Sequence, residues 1–339
     1  MNIRPASTPS GIGCRIASDC FDAAVLIDGL HAAELAYLFG FSRAPAFGWT
    51  SLQNRGSIRI ALDTAAPTKP ATALNLDLED GHVTMASDQP ATLNVLSHHS
   101  LRPALFPKSL NLCLSQQFAR AGVLPVHGAG VVLGELGIMI LGGKAAGKST
   151  LTAASLAAGA RVISDDWMLF GIGRDNRPSM ERLRQFLMLR HGDSTDVLLR
   201  NASAPPFKSA LDRPKATLAI SPDLSEFPRC HRIDKLWLMH RPIPRPERSE
   251  AKPQSQRESL AALLTHSMPL LFSQGFSSEH ETLNIKLNSV VTSVEASKIT
   301  TGLDLVNHPQ KTLDKLLRTS SRHSERRHAE TLSEFRGPD

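Results

Sequence analysis

Hydrophobic and polar positions alternate along the first third of the chain in short runs that are typical of β-strands. The runs SIRIALD, TALNLDLEDGHVTM and TLNVLS have a period of two, and Glu79-Asp80-Gly81 predicts a hairpin turn inside the second run. Residues Gly29 to Phe41 have the apolar spacing of a helix instead. We therefore predict a small, mainly β N-terminal accessory region over residues 1–105, and none of its residues forms a recognisable chemical motif.

The pattern changes after residue 105. A helix-like stretch, Lys108 to Gly122, ends at a glycine suited to a helix C-cap. The apolar runs AGVVL and GIMIL follow, joined by Gly134 to Gly137 as a tight hairpin. A glycine-rich loop, a helix from about Ser149 to Ala158, a stop at Gly159 and the strand RVIS complete the order of a βαβ unit.

Further along, KATLAIS and IDKLWLMH predict buried strands, and RESLAALLTHSMPLLF predicts a helix because its leucines recur at helical spacing. The proline-rich, charged stretch 241–256 predicts a mobile loop. We expect an α/β domain over residues 106–306, with a mixed sheet and flanking helices, and a polar C-terminal tail over residues 307–339.

Composition places the chain among ordinary globular proteins and excludes several partners. Lys and Arg exceed Asp and Glu by six, and this excess is spread over the 339 residues. Only 5% of the residues are aromatic, with a single tyrosine, so an extensive base-stacking surface is not expected. We predict no nucleic-acid partner.

Cysteines and apolar runs give the expected compartment. The four cysteines form no C-x-x-C pair and no metal-binding spacing with histidines; they are Cys14, Cys20, Cys113 and Cys230. This pattern is typical of reduced cysteines rather than a disulfide framework. Because no stretch has the ~18 apolar residues of a membrane span or the apolar core of a signal peptide, we expect a cytoplasmic protein without a membrane partner.

The octapeptide GGKAAGKS, Gly142 to Ser149, fits the phosphate-binding pattern G-x-x-x-x-G-K-[ST]. A turn rich in Gly and Ala directs several backbone N–H groups into one concavity, and the helix that follows adds its positive N-terminal end. In this pattern Lys148 reaches the β- and γ-phosphates and Ser149 binds Mg²⁺. We therefore predict binding of ATP with Mg²⁺ through Gly142, Gly143, Lys144, Ala145, Ala146, Gly147, Lys148, Ser149 and Thr150.

Two acidic residues, Asp165 and Asp166, lie only one helix and one strand after this loop. A helix followed by an adjacent strand returns the chain to the carboxyl edge of the sheet, where ligands bind in open α/β folds. One carboxylate there can hold Mg²⁺ and the other can accept a proton from an attacking hydroxyl. His127, in the run PVHGAG, is a further candidate because a histidine can tune a nearby aspartate by hydrogen bonding.

The segments VHGAGVVL, GIMILGGKAAGKSTL and RVISDD resemble the catalytic core of the HPr kinase/phosphorylase family and its HPr-kinase-related relatives, whose nucleotide core resembles that of phosphoenolpyruvate carboxykinase. The resemblance implies a P-loop kinase domain and a serine kinase activity. It implies that Lys148 is catalytic, that Asp165 is the general base, that Asp166 is a metal-side carboxylate and that His127 neighbours the base. HPr kinases assemble as oligomers, so oligomerisation stays open.

The chain also departs from HPr kinases proper. Thr150 stands where they usually carry a glutamate, and their Arg-Gly-Leu-Gly signature is absent. The motifs of this chain resemble more those of the HPr-kinase-related group, which includes kinases that phosphorylate a serine of a lasso precursor peptide. The resemblance thus implies a peptide or protein serine as phosphate acceptor rather than HPr.

Two alternatives stay open. A small-molecule kinase usually needs an arginine-rich lid, which residues 174–193 can supply. A nucleotide-binding regulatory or peptide-binding protein would bind ATP without transferring phosphate. In either kinase, Lys208, Arg213 and Lys215 are candidates for stabilising the transferred charge.

Overall fold

A computed structural model gives the fold of most of the chain. It describes residues 2–8, 11–32, 57–62, 74–78, 81–85, 91–94, 114, 117–119, 121–165, 167–183, 186–190, 194, 197–198, 206–208, 215–219, 228–240, 246–267 and 287–319.

The N-terminal region forms an antiparallel sheet of five strands in the order β1-β2-β3-β4-β7. The strands are β1 (Asn2–Pro5), β2 (Gly13–Ala17), β3 (Ala24–Asp28), β4 (Ser57–Leu62) and β7 (Ala91–Asn94). A separate hairpin pairs β5 (Leu74–Leu78) with β6 (Gly81–Met85). The prediction of a small β region is therefore confirmed. The strands flanking the predicted turn pair as a hairpin requires, with Leu78 opposite Gly81, while Glu79 and Asp80 lie outside the described residues.

A mixed sheet of nine strands forms the second region, in the order β16-β12-β11-β8-β9-β17-β19-β18, with β10 also paired to β8. Its strands are β8 (Leu124–Leu133), β9 (Leu136–Leu141), β10 (Arg161–Ser164), β11 (Trp167–Ile172), β12 (Pro178–Arg182), β16 (Cys230–Arg232), β17 (Lys235–His240), β18 (Glu250–Pro253) and β19 (Glu295–Thr300). A smaller antiparallel sheet contains β13 (Phe186–Arg190), β15 (Lys215–Ala219) and β14 (Pro206–Lys208).

Helices cover both faces of the nine-stranded sheet. They include α1 (Lys148–Ala157) and α2 (Gln256–His266), and further helical stretches are Asp304–Asn307, 287–293 and 309–319. On one face Val131, Ile138 and Ile140 pack with α1 and the C-terminal helices. On the other face, their neighbours Val132 and Met139 pack with α2 and residues 287–293. This alternation is expected for strands buried on both sides.

Strand directions decide which residues meet at one edge. β9, β17 and β19 are parallel to one another. β8 is antiparallel to both β9 and β10, so β10 also runs in the direction of β9, with β8 inserted between them. The segments that follow β9, β10, β17 and β19 therefore leave the sheet at the same edge, as the βαβ prediction requires.

The N-terminal sheet docks on β12 through the loop between β2 and β3. Glu181 is fully buried there and accepts hydrogen bonds from the Ser18 hydroxyl and from the backbone N–H groups of Asp19 (3.0 Å) and Cys20 (3.3 Å). Arg229 adds an ion pair to Asp19 at 3.3 Å. We refer to these five residues as the junction.

Some predicted elements have different bounds. The stretch 241–256 was predicted as a mobile loop, but residues Glu250–Pro253 form strand β18, which pairs with β19 at the sheet edge, where a proline is tolerated. α2 ends at His266, before the end of the predicted helix. Residues 309–319, assigned to the polar tail, are helical, and Leu313 and Leu316 are fully buried in the core.

The arginine-rich stretch 174–193 also differs from the predicted lid. Residues Pro178–Arg182 form a strand whose residues are all buried inside the sheet, and Phe186–Arg190 form β13. Apolar residues such as Met180 belong to the core on this strand, which explains why it packs rather than projecting. In the described part of the chain, no helix is both long and apolar enough to span a membrane.

Candidate active site

The predicted phosphate loop connects the end of β9 to the start of α1. Ala145 and Gly147 have positive φ angles of 63° and 101°, so the chain turns sharply twice within the octapeptide. Gly143, Lys144 and Ala145 are exposed, whereas Ala146 is buried. The loop therefore presents its backbone to solvent at its tip and is anchored to the sheet at both ends.

Two glycines of the loop are required by their surroundings. A Cβ at Gly142 would lie 2.7 Å from the Cβ of Met239, because the segments after β9 and β17 leave the sheet side by side. Gly147 has a φ of +101°, a conformation that L side chains rarely adopt, and a Cβ there would lie 3.4 Å from Oγ1 of Thr301. Met239 and Thr301 thus define the wall of the loop on its β17–β19 side.

Lys148 is buried, with 7% of its surface exposed, although it is the lysine of the motif. Its Nζ donates to the backbone oxygens of Gly142 at 2.6 Å and Gly143 at 3.3 Å. The ammonium group is therefore held over the loop concavity by the loop itself. A buried cation in that position attracts an anion strongly because solvent screening is weak there.

The N-terminus of α1 opens directly into the loop. Gly147 is its N-cap residue, no described side chain caps this end, and the first turn contains no acidic residue. The N-terminal partial charge of the helix is thus available to an anion in the loop. Ser149 and Thr150 lie in this first turn and are partly exposed, so both are accessible from the loop side of the helix.

Asp165 follows the end of β10 directly and is buried, with 5% exposure. The register of β10 against β8 shifts between Val162 and Ser164, and the Ser164 hydroxyl donates to the Trp167 carbonyl at 2.8 Å. The strand is therefore interrupted at the aspartate and resumes as β11. Asp166, predicted as the metal-side carboxylate, lies outside the described residues.

His127 lies on β8 at the same edge. Its neighbour Gly128 pairs with Leu141, the last residue of β9, so His127 extends just past the point where the glycine loop begins. On its other side it pairs with Trp167, and the two ring centroids are 5.5 Å apart. β8 thus places this imidazole between the loop and the strand break that contains Asp165.

His266 is a site residue that the sequence reading missed. Val126 and Ser267 form an isolated antiparallel bridge, which brings His266, the last residue of α2, close to His127, the residue after Val126. Burial, followed by the nearby charges of Lys148 and His127, lowers the pKa of His266 below its usual value of 6.5. A neutral imidazole therefore faces the loop at neutral pH. Only proximity in the fold shows this, because no motif links position 266 to the loop.

The remaining predicted charge donors lie on the smaller sheet. Lys208 ends β14 and Lys215 begins β15, so both belong to strands rather than to a surface loop; Arg213 lies outside the described residues. Within the described ranges, no group of three or more His, Cys, Asp and Glu residues could hold a metal ion.

Comparisons with known proteins add a distant structural relation. No protein-family model matches the chain, and no curated protein matches it. Among solved structures, it is similar to the HPr(Ser) kinase/phosphatase from Coxiella burnetii, with 11% identity and a TM-score of 0.30. That match covers 63% of this chain and 99% of the other.

Proposed function

We propose that this protein is a Mg-ATP-dependent kinase that transfers the γ-phosphate to a hydroxyl, with a serine of a peptide or protein as the acceptor. The observation that supports it most is the convergence of the glycine loop, Lys148 and buried Asp165 at one edge of the sheet. Nucleotide binding alone requires the loop and its lysine. Phosphoryl transfer to a hydroxyl requires, in addition, a base near the phosphates, and buried Asp165 is a carboxylate at this edge.

In this proposal the loop holds the phosphates through backbone N–H groups and the N-terminus of α1. Lys148 exchanges its bonds to the Gly142 and Gly143 carbonyls for the β- and γ-phosphate oxygens. Its burial strengthens that attraction relative to an exposed lysine. Lys148 thus stabilises the charge that develops on the transferred group.

Asp165 acts as the general base and accepts the proton of the attacking hydroxyl. His127 on β8 and His266 at the end of α2 are brought to this edge by the bridge between Val126 and Ser267. The neutral imidazole of His266 can donate one hydrogen bond and accept another, which suits it to position an acceptor hydroxyl or Asp165 itself.

The oxygen donors at this edge fit Mg²⁺, which prefers one or two protein oxygens together with substrate phosphates. The Ser149 hydroxyl and the carboxylate of Asp166, which follows Asp165 in the sequence, would hold it. When bound, Mg²⁺ neutralises negative charge on the phosphates.

The acceptor is tested by incubating the full chain with ATP labelled in the γ-phosphate, in separate reactions with serine-containing peptides, small hydroxylated metabolites and no acceptor. Label on a peptide serine supports the proposal. Label on a small molecule would show that the acceptor is a metabolite and not a peptide. Tight ATP binding without transfer of label to a peptide or a metabolite would contradict the kinase assignment.

A further inference from the structure

Two cysteines that are far apart in sequence meet at the junction. Cys20 lies in the loop between β2 and β3 of the N-terminal sheet, and Cys230 begins β16 of the nine-stranded sheet. Neither takes part in the proposed phosphoryl transfer, whose residues lie on β8 and after β9 and β10. In the sheet, β12 and β11 separate β16 from β8. This pair is therefore a feature that the proposed function does not explain.

The backbone holds both cysteines against the same residue. The N–H of Cys20 donates to Glu181 at 3.3 Å, and Cys230 is the cross-strand partner of Glu181 in the pairing of β16 with β12. The residues that precede them, Asp19 and Arg229, form an ion pair at 3.3 Å. Contacts on both sides thus fix the two chain segments next to each other.

The two thiols interact with each other. A hydrogen bond between the two side chains raises the pKa of Cys20 and lowers that of Cys230, so Cys20 is the donor and Cys230 is the thiol that ionises more readily. Both residues are partly exposed, whereas Cys14 is fully buried in β2. A small reagent can therefore reach this pair.

We propose that Cys20 and Cys230 form a redox-active dithiol that small disulfide compounds, such as oxidised glutathione, convert into an intramolecular disulfide. The Cys230 thiolate attacks one sulfur of the oxidant and releases the first reduced thiol. The Cys20 thiolate then attacks the Cys230 sulfur of the mixed disulfide and releases the second. Two protein thiols are oxidised, one small disulfide is reduced, and their two protons leave with the two released thiols.

The product joins the N-terminal sheet covalently to the nine-stranded sheet. In the reduced protein, the described contacts that link the β2–β3 loop to β12 and β16 are polar ones, centred on Glu181 and Arg229. A disulfide at the same place makes this docking permanent until a dithiol reduces it.

The test uses the full-length wild-type chain, incubated with oxidised glutathione and digested without reduction. We expect a Cys20–Cys230 linked peptide, the loss of two free thiols per chain and reversal of both by dithiothreitol. Mixed glutathione disulfides on either cysteine without the linked peptide would overturn the proposal, and so would a link between a different pair.

Single variants test the order of the steps. Cys20→Ser removes the resolving thiol, so a stable glutathione adduct should accumulate on Cys230. Cys230→Ser should slow the reaction with the oxidant, because it removes the attacking thiol and burial still raises the pKa of the remaining Cys20 thiol. Cys14→Ala is the matched control and should form the linked peptide at the wild-type rate. Equal reactivity of the Cys20→Ser and Cys230→Ser variants would contradict the assignment of Cys230 as the attacking thiol.

Discussion

The buried charges of two regions have different hydrogen-bond partners. One region is the junction around Glu181, and the other is the loop edge, which contains Lys148, Asp165, His127 and His266. Glu181 receives its hydrogen bonds from a different sheet, through the segment Ser18–Cys20. Lys148 donates its described hydrogen bonds to carbonyls five and six residues away in its own loop. Distant partners fix a structure, whereas local ones can be exchanged for a ligand. The comparison therefore assigns stability to the junction and chemistry to the loop edge.

The largest expected effect follows from removing the charge at the loop edge. Lys148→Ala should lower phosphate transfer from ATP by about a hundredfold to a thousandfold, because the developing charge loses its buried cation. The melting temperature should change little, since the described contacts of the lysine are local. Activity and thermal unfolding measured on the same preparation check this. Lys252→Ala, at an exposed position on β18, is the control and should keep wild-type activity.

The converse change at the junction is Glu181→Gln. It should lower the free energy of unfolding by about 1–3 kcal/mol, because the new amide N–H₂ faces backbone N–H donors that lose their acceptor. Activity per folded molecule should be retained. Denaturant unfolding measures the first effect, with Glu135→Gln as a control, since the Glu135 side chain is 90% exposed. A loss of activity without a loss of stability would reverse the roles assigned to the two regions.

Arg182, next to Glu181, differs from the junction residues because its buried charge makes no hydrogen bond in the described structure. Its three guanidinium nitrogens are buried and have no hydrogen-bond partner in the described structure, and burial lowers its pKa to about 10. It therefore stays charged at neutral pH at a cost in stability. Arg182→Met should raise the free energy of unfolding by about 1–2 kcal/mol, because burial and the nearby charge of Arg229 disfavour the charged guanidinium more than Glu181 and Asp19 favour it. A drop of that size in a denaturant titration would show that the guanidinium stabilises the fold.

The smallest expected effect concerns pH and His266. Its pKa is lowered in the folded protein, first by burial and then by Lys148 and His127, from the usual 6.5. Above pH 6.5 the imidazole is mostly neutral in the folded and in the unfolded protein, so it does not lower the stability. As the pH falls below it, the unfolded chain gains a proton that the folded chain resists, so stability falls.

His266→Gln should remove this part of the acid sensitivity. When the pH is lowered from about 7.5 to about 5.5, the range in which histidine titrates, the melting temperature of the variant should fall less than that of the wild type. His308→Gln, on an exposed position, should behave as the wild type. An unchanged pH profile in His266→Gln would mean that the imidazole is not shielded by the loop edge.

The sequence predicted the elements whose local signals agree with their tertiary surroundings. The hairpin at Gly134, the helix after the glycine loop and its stop at Gly159 are formed as expected, because turn chemistry and apolar spacing act locally. The predicted coarse fold, a mixed sheet with flanking helices after a small β region, is confirmed. Asp165 could be placed near the loop because one crossover fixes the direction of β10.

Other features depend on contacts that no local signal encodes. β18 contains a proline and charged residues, and it is a strand only because β19 offers an edge to pair with. His266 reaches the loop edge through the single bridge between Val126 and Ser267. Cys20 and Cys230 meet because two separate sheets dock on Glu181. Each requires knowledge of which distant segments are neighbours.

One measurement separates holding a phosphate from transferring it. Asp165→Asn keeps the loop and Lys148 but removes the proposed base, so its affinity for Mg-ATP should stay within a few-fold of the wild type. Release of the labelled γ-phosphate, to the acceptor found in the screen or to water, should fall by about a hundredfold or more. Asp175→Asn, on an exposed turn, is the matched control. Wild-type transfer by Asp165→Asn would contradict the assignment of this edge as a phosphoryl-transfer site.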